Sequence, residues 1–529
     1  MSRARPAMRG AALLDGVGRG GHNARAVATD ATKTAGRGLL SITGAKIYFI
    51  VTSYGIQLLL PRLLTPEEFG LFSTAMNVAS IVNNVLIVST VQSVSKFVSE
   101  DDARGGQALR RGLGIQLVLG SLLCLAFLVG AGPVSGLLLD ASVAPLVRTS
   151  AVVVFAYALY ASLVGSLNGR RLFQKQALLD CTFSTLRTFG ILGASAAGLG
   201  ALGAMTGFAG AAALILLVAM VWVGLGEKPV DTVTIKRWLA FTAPLWLYHG
   251  FLNGVMQIDL ALLKRTAAEL GLAAGMAADA AAAQASVTVG YYRAVQTFAF
   301  VPYQLILSIT FIIFPMVSKA IADGDHDATK RYVRAAMRVS ILFLVSIAAP
   351  IAGASRGVMR LAYPDEYLVG AGALSILVLG MAAFALFVIT ATIITSAGRP
   401  GAAATVAGFA LVVVVAANLV LVRQAGLSGD MLRAAAMGTT AGTCLALAGT
   451  GWLVFARFKA LVAPLTVLRA AVAGAVGYVV AELVSGAHPS RILTIGALAA
   501  GFFAFGITLV VVRELKGDDF GLVRRILKR

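Results

Sequence analysis

Charge is scarce in this chain. Only 13% of its 529 residues are Asp, Glu, Lys or Arg, about half the share that a soluble globular protein carries. That shortage excludes a water-soluble enzyme or binding domain of ordinary composition. Cysteine is rarer still: Cys124, Cys181 and Cys444 each sit inside an apolar stretch, at spacings that suit neither a disulfide framework nor a zinc site. With only four histidines, no metal centre and no cofactor are expected. Residues 1–38 lack the apolar run of a cleavable signal peptide, and their Gly/Ala/Arg-rich composition predicts a disordered basic tail. No polar stretch has the pattern of a folded extramembrane domain, so whatever the chain does it does within a membrane or at its edge.

What is abundant is apolar. Hydrophobic residues make up 58% of the chain and mean hydropathy is +0.85. They arrive in blocks of about 20 residues, the length that crosses ~30 Å of hydrocarbon. Fourteen transmembrane helices are predicted, giving an all-α polytopic membrane protein. Two stretches need a decision. Residues 178–225 are too long for one crossing and divide into 178–199 and 202–225. Residues 285–317 hold Arg293 and Pro302 but read as one kinked span. Most of the 44 Lys and Arg then fall in tails and loops on one side, which the positive-inside rule assigns to the cytoplasm together with both termini. The net charge of +20 is explained by those loops, so nucleic acid is not an expected partner. The runs Arg104–Arg111, Lys330–Arg338 and Arg524–Arg529 are solvated faces that suit contact with anionic membrane lipids.

The sequence repeats itself. Phe69-Gly70-Leu71-Phe72 opens an apolar run that ends in Val94-Ser95-Lys96, and Val289-Gly290-Tyr291-Tyr292 opens another that ends in Val317-Ser318-Lys319. Gly169-Arg170 and Gly398-Arg399 keep nearly the same offset. Six spans, an even number, separate each landmark from its copy, so two related halves share one orientation about an axis along the membrane normal, as in alternating-access transporters. The expected organisation is a tail (1–38), an N-lobe of six spans (39–225), a C-lobe of six (238–456), two added spans (465–512) and a basic tail (513–529). Residues 264–286 are Ala-rich and read as a linker loop on the outer face.

Polar side chains within spans are costly unless they face a bundle interior or a wet cavity. Helical spacing groups Lys46, Ser53 and Gln57 in the first span, and Ser73, Asn77, Ser80 and Asn84 in the second. It also groups Trp246, His249, Asn253 and Gln257 in the seventh, and Arg293, Gln296, Gln304 and Ser308 in the eighth. The duplication makes the seventh and eighth spans copies of the first and second, so the four stripes predict one shared cavity. The bland reading is that they are hydrogen-bond glue between helices. Lys46, Arg187 and Arg293 are the basic residues set well inside spans, each costing about 2.5–3.5 kcal/mol at a helix centre. Guanidinium suits bidentate contact with phosphate, so a cationic cavity for a phosphate-bearing head group is expected. Asp259 stands among apolar residues. Its alternatives are an ion pair with Lys264, Arg265 or Arg293, or carriage of a coupling proton or Na⁺.

These residues resemble a known family. Leu64-Thr65-Pro66-Glu67-Glu68-Phe69-Gly70, the Asn/Ser-rich span after it, Gly290-Tyr291-Tyr292-Arg293-Ala294, Phe314-Pro315 and the Gly398-Arg399 loop together look like polysaccharide transporters. These belong to the multidrug/oligosaccharidyl-lipid/polysaccharide (MOP) exporter superfamily. The resemblance runs from about residue 40 to 515. It implies a V-shaped fold of two lobes with a cavity between spans one, two, seven and eight. It implies a flippase, not an enzyme, that moves polyprenyl-pyrophosphate-linked oligosaccharide for O-antigen or exopolysaccharide across a bacterial inner membrane. Basic cavity residues would meet the pyrophosphate, a role carried onto Arg293 and, less directly, Lys46 and Arg187. A polysaccharide polymerase or other assembly proteins are the partners it implies. Rivals are a lipid II flippase, whose last two helices form a groove, and a multidrug exporter, which would want acidic residues in its cavity. A membrane polymerase or ligase would want a large catalytic outer loop.

Overall fold

Thirteen of the fourteen spans are each a single helix, and the eighth is two helices end to end. The computed structural model describes residues 41–101, 104–227, 234–487 and 489–515; the tail 1–38 and the end of the basic segment 513–529 lie outside them. The first half consists of α1 (residues 41–63), α2 (Pro66–Glu100), α3 (Gly105–Leu137), α4 (Val143–Gly169), α5 (Phe173–Ala196) and α6 (Gly200–Val223). The second consists of α7 (Ile235–Ala273), α8 (Ala278–Ala299), α9 (Val301–Ala322), α10 (His326–Gly353), the short α11 (Ser355–Ala362), α12 (Ala371–Ser396), α13 (Pro400–Ala425) and α14 (Met431–Phe458). Two further helices follow, α15 (Pro464–Ser485) and α16 (Arg491–Val511). No strand occurs among the described residues.

Local chemistry sets the breaks. Thr65 caps α2: its hydroxyl accepts from Glu68 N, Glu68 Oε2 accepts from Thr65 N at 3.1 Å, and Pro66 takes the first helical position. The Leu64–Gly70 motif is thus a capping box in front of a helix. The predicted kinked span is α8 and α9, separated only by Phe300, with Pro302 in the first turn of α9, where a missing N–H costs nothing. The Gly-rich stretch divides at Gly198, which takes φ +77. The α5–α6 hairpin then closes tightly at Gly190 and Gly207, where a methyl group on Gly207 would lie 2.0 Å from Gly190 O.

The linker expected at 264–286 does not exist. α7 continues to Ala273 and α8 begins at Ala278, because runs of alanine are the best helix formers. Their ends rise beyond the predicted spans and pack on one another.

Equivalent helices pack equivalently in the two halves. α2 packs on α4, α4 on α6, α5 on α6 and α3 on α4; in the second half α9 packs on α12, α12 on α14, α13 on α14 and α10 on α12. α4 and α12 occupy the middle of their lobes and are the most deeply buried of the long apolar helices. Among the described residues ten helices are long and apolar enough to cross a membrane. The outer surface exposes Phe189, Val221, Leu483 and Ile492, side chains that water would penalise and acyl chains accept. α5, α7 and α8 fall outside those ten, and these helices carry Arg187, Asp259 and Arg293.

α15 and α16 pack on each other and on α10. Glu514, just past α16, ties them there. Arg338 Nε of α10 donates to it at 2.9 Å, Arg469 Nη1 of α15 at 3.1 Å and the Thr466 hydroxyl at 2.9 Å. Burial would raise the Glu514 carboxyl, but these donors outweigh it and hold it below the usual glutamate range.

The lobes meet along α2. At the face where α1 begins and α16 ends, Ser93 bonds Thr242 at 2.7 Å, Phe97 stacks on Trp238 at 4.8 Å and Arg237 pairs with Glu100 at 3.0 Å. At the far face Gly70 and Gly290, the two copies of one landmark, face each other. A methyl group on Gly70 would lie 1.8 Å from Ser286 O, and one on Gly290 2.4 Å from Pro66 O. Beside them Lys264 of α7, fully buried, donates to Asp140 Oδ2 at 2.6 Å, to Ala282 O and to the Ser286 hydroxyl. Asp140 lies in the turn between α3 and α4, so this pair joins one lobe to the other.

Two outcomes follow from these contacts. Asp140→Ala strands a buried ammonium and is expected to cost roughly 3–5 kcal/mol. Asp140→Ala/Lys264→Met removes the stranded charge and recovers most of it. Denaturant melts of the three proteins in detergent read this directly, and equal stability of all three would disprove the pairing. Because the Glu514 carboxyl is depressed in the fold, its stabilisation is complete above the ordinary value of 4.5 and fades as pH falls below it. Protection factors for hydrogen exchange in α15 and α16, corrected for the intrinsic pH dependence of exchange, are therefore expected to stay constant from neutral pH down to that value and to fall below it. Protection lost already at higher pH would point to another group.

Candidate functional site

α1 lies along α5 through hydroxyl contacts, Tyr48 with Thr185 at 2.8 Å and Thr52 with Ser184. That seam brings Ser53 and Phe49 against Arg187. The guanidinium donates to the Ser53 hydroxyl and sits 4.5 Å from the centre of the Phe49 ring. Its Nε is buried without a hydrogen-bond partner. A ring contact contributes about 0.5–2 kcal/mol, which does not clearly outweigh the 1–3 kcal/mol of an unmet buried donor. Across the lobe boundary, Arg293 of α8 donates through Nη1 to Gln296 Oε1 at 3.1 Å. Among the described residues neither arginine forms an ion pair.

Both guanidiniums open on one slot of about 70 Å³, lined also by Ser53, Gln57 and Ser73. The slot has a larger hollow on each side. Toward α8 and α9 lies a vestibule of about 160 Å³, sharing Ser53, Gln57 and Arg293 with the slot and adding Tyr54, Thr297 and Gln304. Walled by the N-lobe and by Gln304 of α9 lies a chamber of about 500 Å³, sharing Met76 and Arg187 with the slot. Lys46, Asn83, Asn84, Tyr160 and Asp180 line the chamber. Neighbouring spaces share wall residues, from the centre of the N-lobe to the lobe boundary. Small-molecule sites usually occupy about 300–1,000 Å³, so the chamber has that size and the slot is a neck.

The predicted stripes divide between lining and glue. Arg187, Arg293, Gln57, Lys46 and Asn84 face these spaces. Asn77 and Gln257 do not. They are buried at the lobe boundary, where Asn77 Nδ2 donates to Gln257 O at 2.9 Å and Oε1 at 2.8 Å. Asn84 Nδ2 donates likewise to Asn253 Oδ1 at 2.9 Å. Two of the four stripes therefore join α2 to α7, because the seventh span crosses the second rather than standing back from it.

Asp259 pairs with none of the cations considered for it. Lys264 is taken by Asp140, and Arg265 bonds Glu269 at 2.7 Å. The Asp259 carboxylate is buried and accepts from Tyr292 OH at 2.8 Å, Thr439 Oγ1 at 2.9 Å, Gln296 Nε2 at 3.1 Å and Leu260 N at 2.8 Å. Gln296 is thus held at both ends, its amide donating to Asp259 and its carbonyl receiving Arg293. The reach from Asp259 to Arg293 exists, but it passes through an amide.

Sequence reasoning passed over Asp180, Asn83 and the tyrosines of α4. Asp180 stands seven residues before Arg187, two helical turns, and so on the same face; that spacing was the available signal. Asp140 carried none, since its partner is remote in sequence. Among the described residues no three His, Cys, Asp or Glu side chains come together.

The molecule can be compared with known proteins. A family model described as polysaccharide biosynthesis protein matches residues 35–321. No curated protein matches. The lipid II flippase MurJ in an inward closed conformation superposes with a TM-score of 0.70 at 12% identity, over 89% of this chain and 99% of that one. An inward-facing multidrug resistance MATE family transporter of the MOP superfamily gives 0.61 at 13%, over 78% and 95%. A MOP-superfamily transporter from Pyrococcus furiosus gives 0.57 at 14%, over 80% and 96%. At such identities the likeness is one of fold, the two-lobed arrangement of the MOP superfamily. The family match spans more than half of the sequence and covers α1 to α9 almost entirely: the chain belongs to the polysaccharide biosynthesis protein family.

Proposed function

We propose that this protein is a flippase that carries polyprenyl-pyrophosphate-linked oligosaccharide across the bacterial cytoplasmic membrane by alternating access, with both termini in the cytoplasm. One observation carries the reading: two guanidiniums from opposite lobes face one slot without a carboxylate between them. Each costs about 2.5–3.5 kcal/mol at a span centre, and a pyrophosphate supplies the anion that offsets it. Arginine forks match phosphate oxygens in pairs. The family's place in polysaccharide biosynthesis supplies the glycan, as an O-antigen or exopolysaccharide repeat unit. The MurJ likeness favours lipid II as the second substrate to consider. A cationic drug suits this neck poorly, since among the described residues Asp180 is the one carboxylate lining the three spaces.

The geometry supports a sequence of steps. With the α2–α7 contacts near Ser93 and Trp238 open, the neck widens to the cytoplasm and Arg187 and Arg293 take the pyrophosphate from two sides. The vestibule between α1 and α8 leads the polyprenyl chain toward lipid. Bringing the arginines together on one anion favours closure at that face, and the ligand drives the change by binding the states differently. Opening the far face then requires Lys264 to part from Asp140 and the Gly70–Gly290 contact to separate. Asp259 holds Gln296, and through it Arg293, in place.

The test is flipping of an undecaprenyl-pyrophosphate-linked glycan in proteoliposomes at matched protein levels. Losing a hydrogen bond to a charged group costs about 1.5–3 kcal/mol, so Arg187→Gln and Arg293→Gln are each expected to slow flipping roughly 10–100-fold. Lysine at either position restores part of the rate. Wild-type flipping by the double glutamine variant would contradict the reading.

A further inference from the structure

A further hollow, of about 1020 Å³, opens at the far face, away from the neck. α10 and α15 end beside it, and α11, α12 and α14 begin there. α15 packs on α10 and α16 and not closely on α12 or α14. The hollow is therefore a cleft between the C-lobe and the first of the two added spans. α10 and α15 meet tightly along it, since a methyl group on Gly353 would lie 2.2 Å from Tyr478 O.

Among the described residues four charged side chains line the cleft: Arg356, Arg433, Asp430 and Glu482. Two are cations and two are anions, so the wall is neutral as a whole but not locally. Arg433 reaches from α14 across the first turn of α12, where a methyl group on Gly372 would lie 2.2 Å from its Nε. The open N–H groups of that first turn favour an anion as the guanidinium does. Asp430 accepts from Arg433 Nη1 at 3.1 Å, with both side chains more than half exposed. Such a pair is worth little by itself, and it leaves the other edge of the fork open. Arg356 of α11 forms no ion pair among the described residues. Glu482 stands in the last turn of α15, where free carbonyl ends favour a cation. One side of the cleft thus attracts an anion and the other a cation. Between them the wall is apolar and open, with Leu483 75% exposed and Met437 and Val369 about half exposed. Water penalises such side chains, and acyl chains accept them.

These features narrow the occupant. A purely anionic lipid would set its charge against Glu482, and a basic ligand would set its own against the arginines. A soluble zwitterion would leave the apolar wall uncovered. A quaternary ammonium has no N–H to give a carboxylate, whereas a primary ammonium has three. We propose that this cleft binds a phospholipid with a primary-amine head group. Its phosphate lies on Arg356 and Arg433, matched by the guanidinium forks. Its ammonium lies on Glu482, and its acyl chains run along Leu483 and Met437. A lipid held in this way bridges α15 to α12 and α14, which do not otherwise meet it closely. The cleft shares no residue with the neck, the vestibule or the chamber, so it stands whether or not the slot takes a pyrophosphate.

The test is lipid binding to delipidated full-length protein in detergent, read by native mass spectrometry. The probes are phosphatidylethanolamine, phosphatidylcholine and phosphatidylglycerol with the same acyl chains. The wild type is expected to bind phosphatidylethanolamine about tenfold or more tighter than either of the others. Glu482→Gln is expected to lower phosphatidylethanolamine to the level of phosphatidylcholine, while phosphatidylcholine itself stays within about twofold. Arg356→Gln/Arg433→Gln is expected to weaken both by about tenfold or more. The wild-type preference needs no variant, so the proposal is falsifiable even where a variant fails to fold. Glycerophosphoethanolamine, the head group without chains, is expected not to displace the lipid at equal concentration. Equal binding of the amine and choline lipids, tightest binding of phosphatidylglycerol, or a preference that survives Glu482→Gln would overturn the proposal. Displacement by glycerophosphoethanolamine would overturn it too, since the ligand would then be a soluble phosphodiester and not a lipid.

Discussion

Two guanidiniums set within membrane spans, neither in an ion pair among the described residues, constrain everything around them. Left against acyl chains they would be too costly to keep, so the chain encloses them. Arg187 is covered by α1 through Ser53 and Phe49, and Arg293 is steadied by Gln296, which Asp259 holds in turn. Each lobe contributes one arginine to the slot. The anion proposed for it would lie where relative movement of the lobes changes its surroundings most.

The duplication would give that movement its symmetry. Gly70 and Gly290 are the same landmark in two copies, and they touch at the far face because neither has a side chain to keep the helices apart. Hydroxyl and aromatic contacts along α2 and α7 close the other face. The two closures differ in strength. A fully buried ion pair, Lys264 with Asp140, braces the far face, whereas the pair at the near face, Arg237 with Glu100, is exposed and worth little on its own.

Architecture was legible in the sequence because apolar block length and internal repetition are both local or periodic. The division of 178–225 could be read from its length, and Pro302 marked the place where the eighth span, read as one kinked helix, breaks in two; the capping box at Thr65 went unread. The supposed linker at 264–286 could not, since low complexity looks like a loop until alanine's helix propensity is weighed. Arg187 and Arg293 stood out because charge in a span is rare. Asn77 and Gln257 looked like lining but are a clasp, since helical spacing shows which residues share a face and not what that face meets. The Asp140–Lys264 pair and the chamber around Asp180 depend on helices far apart in sequence, and no single segment announces them.

A single-particle map of the protein in nanodiscs with undecaprenyl-pyrophosphate-linked oligosaccharide tests the central claim most directly. The account predicts density for the two phosphates between the Arg187 and Arg293 side chains. Phosphate density elsewhere, with both guanidiniums unoccupied, would contradict it.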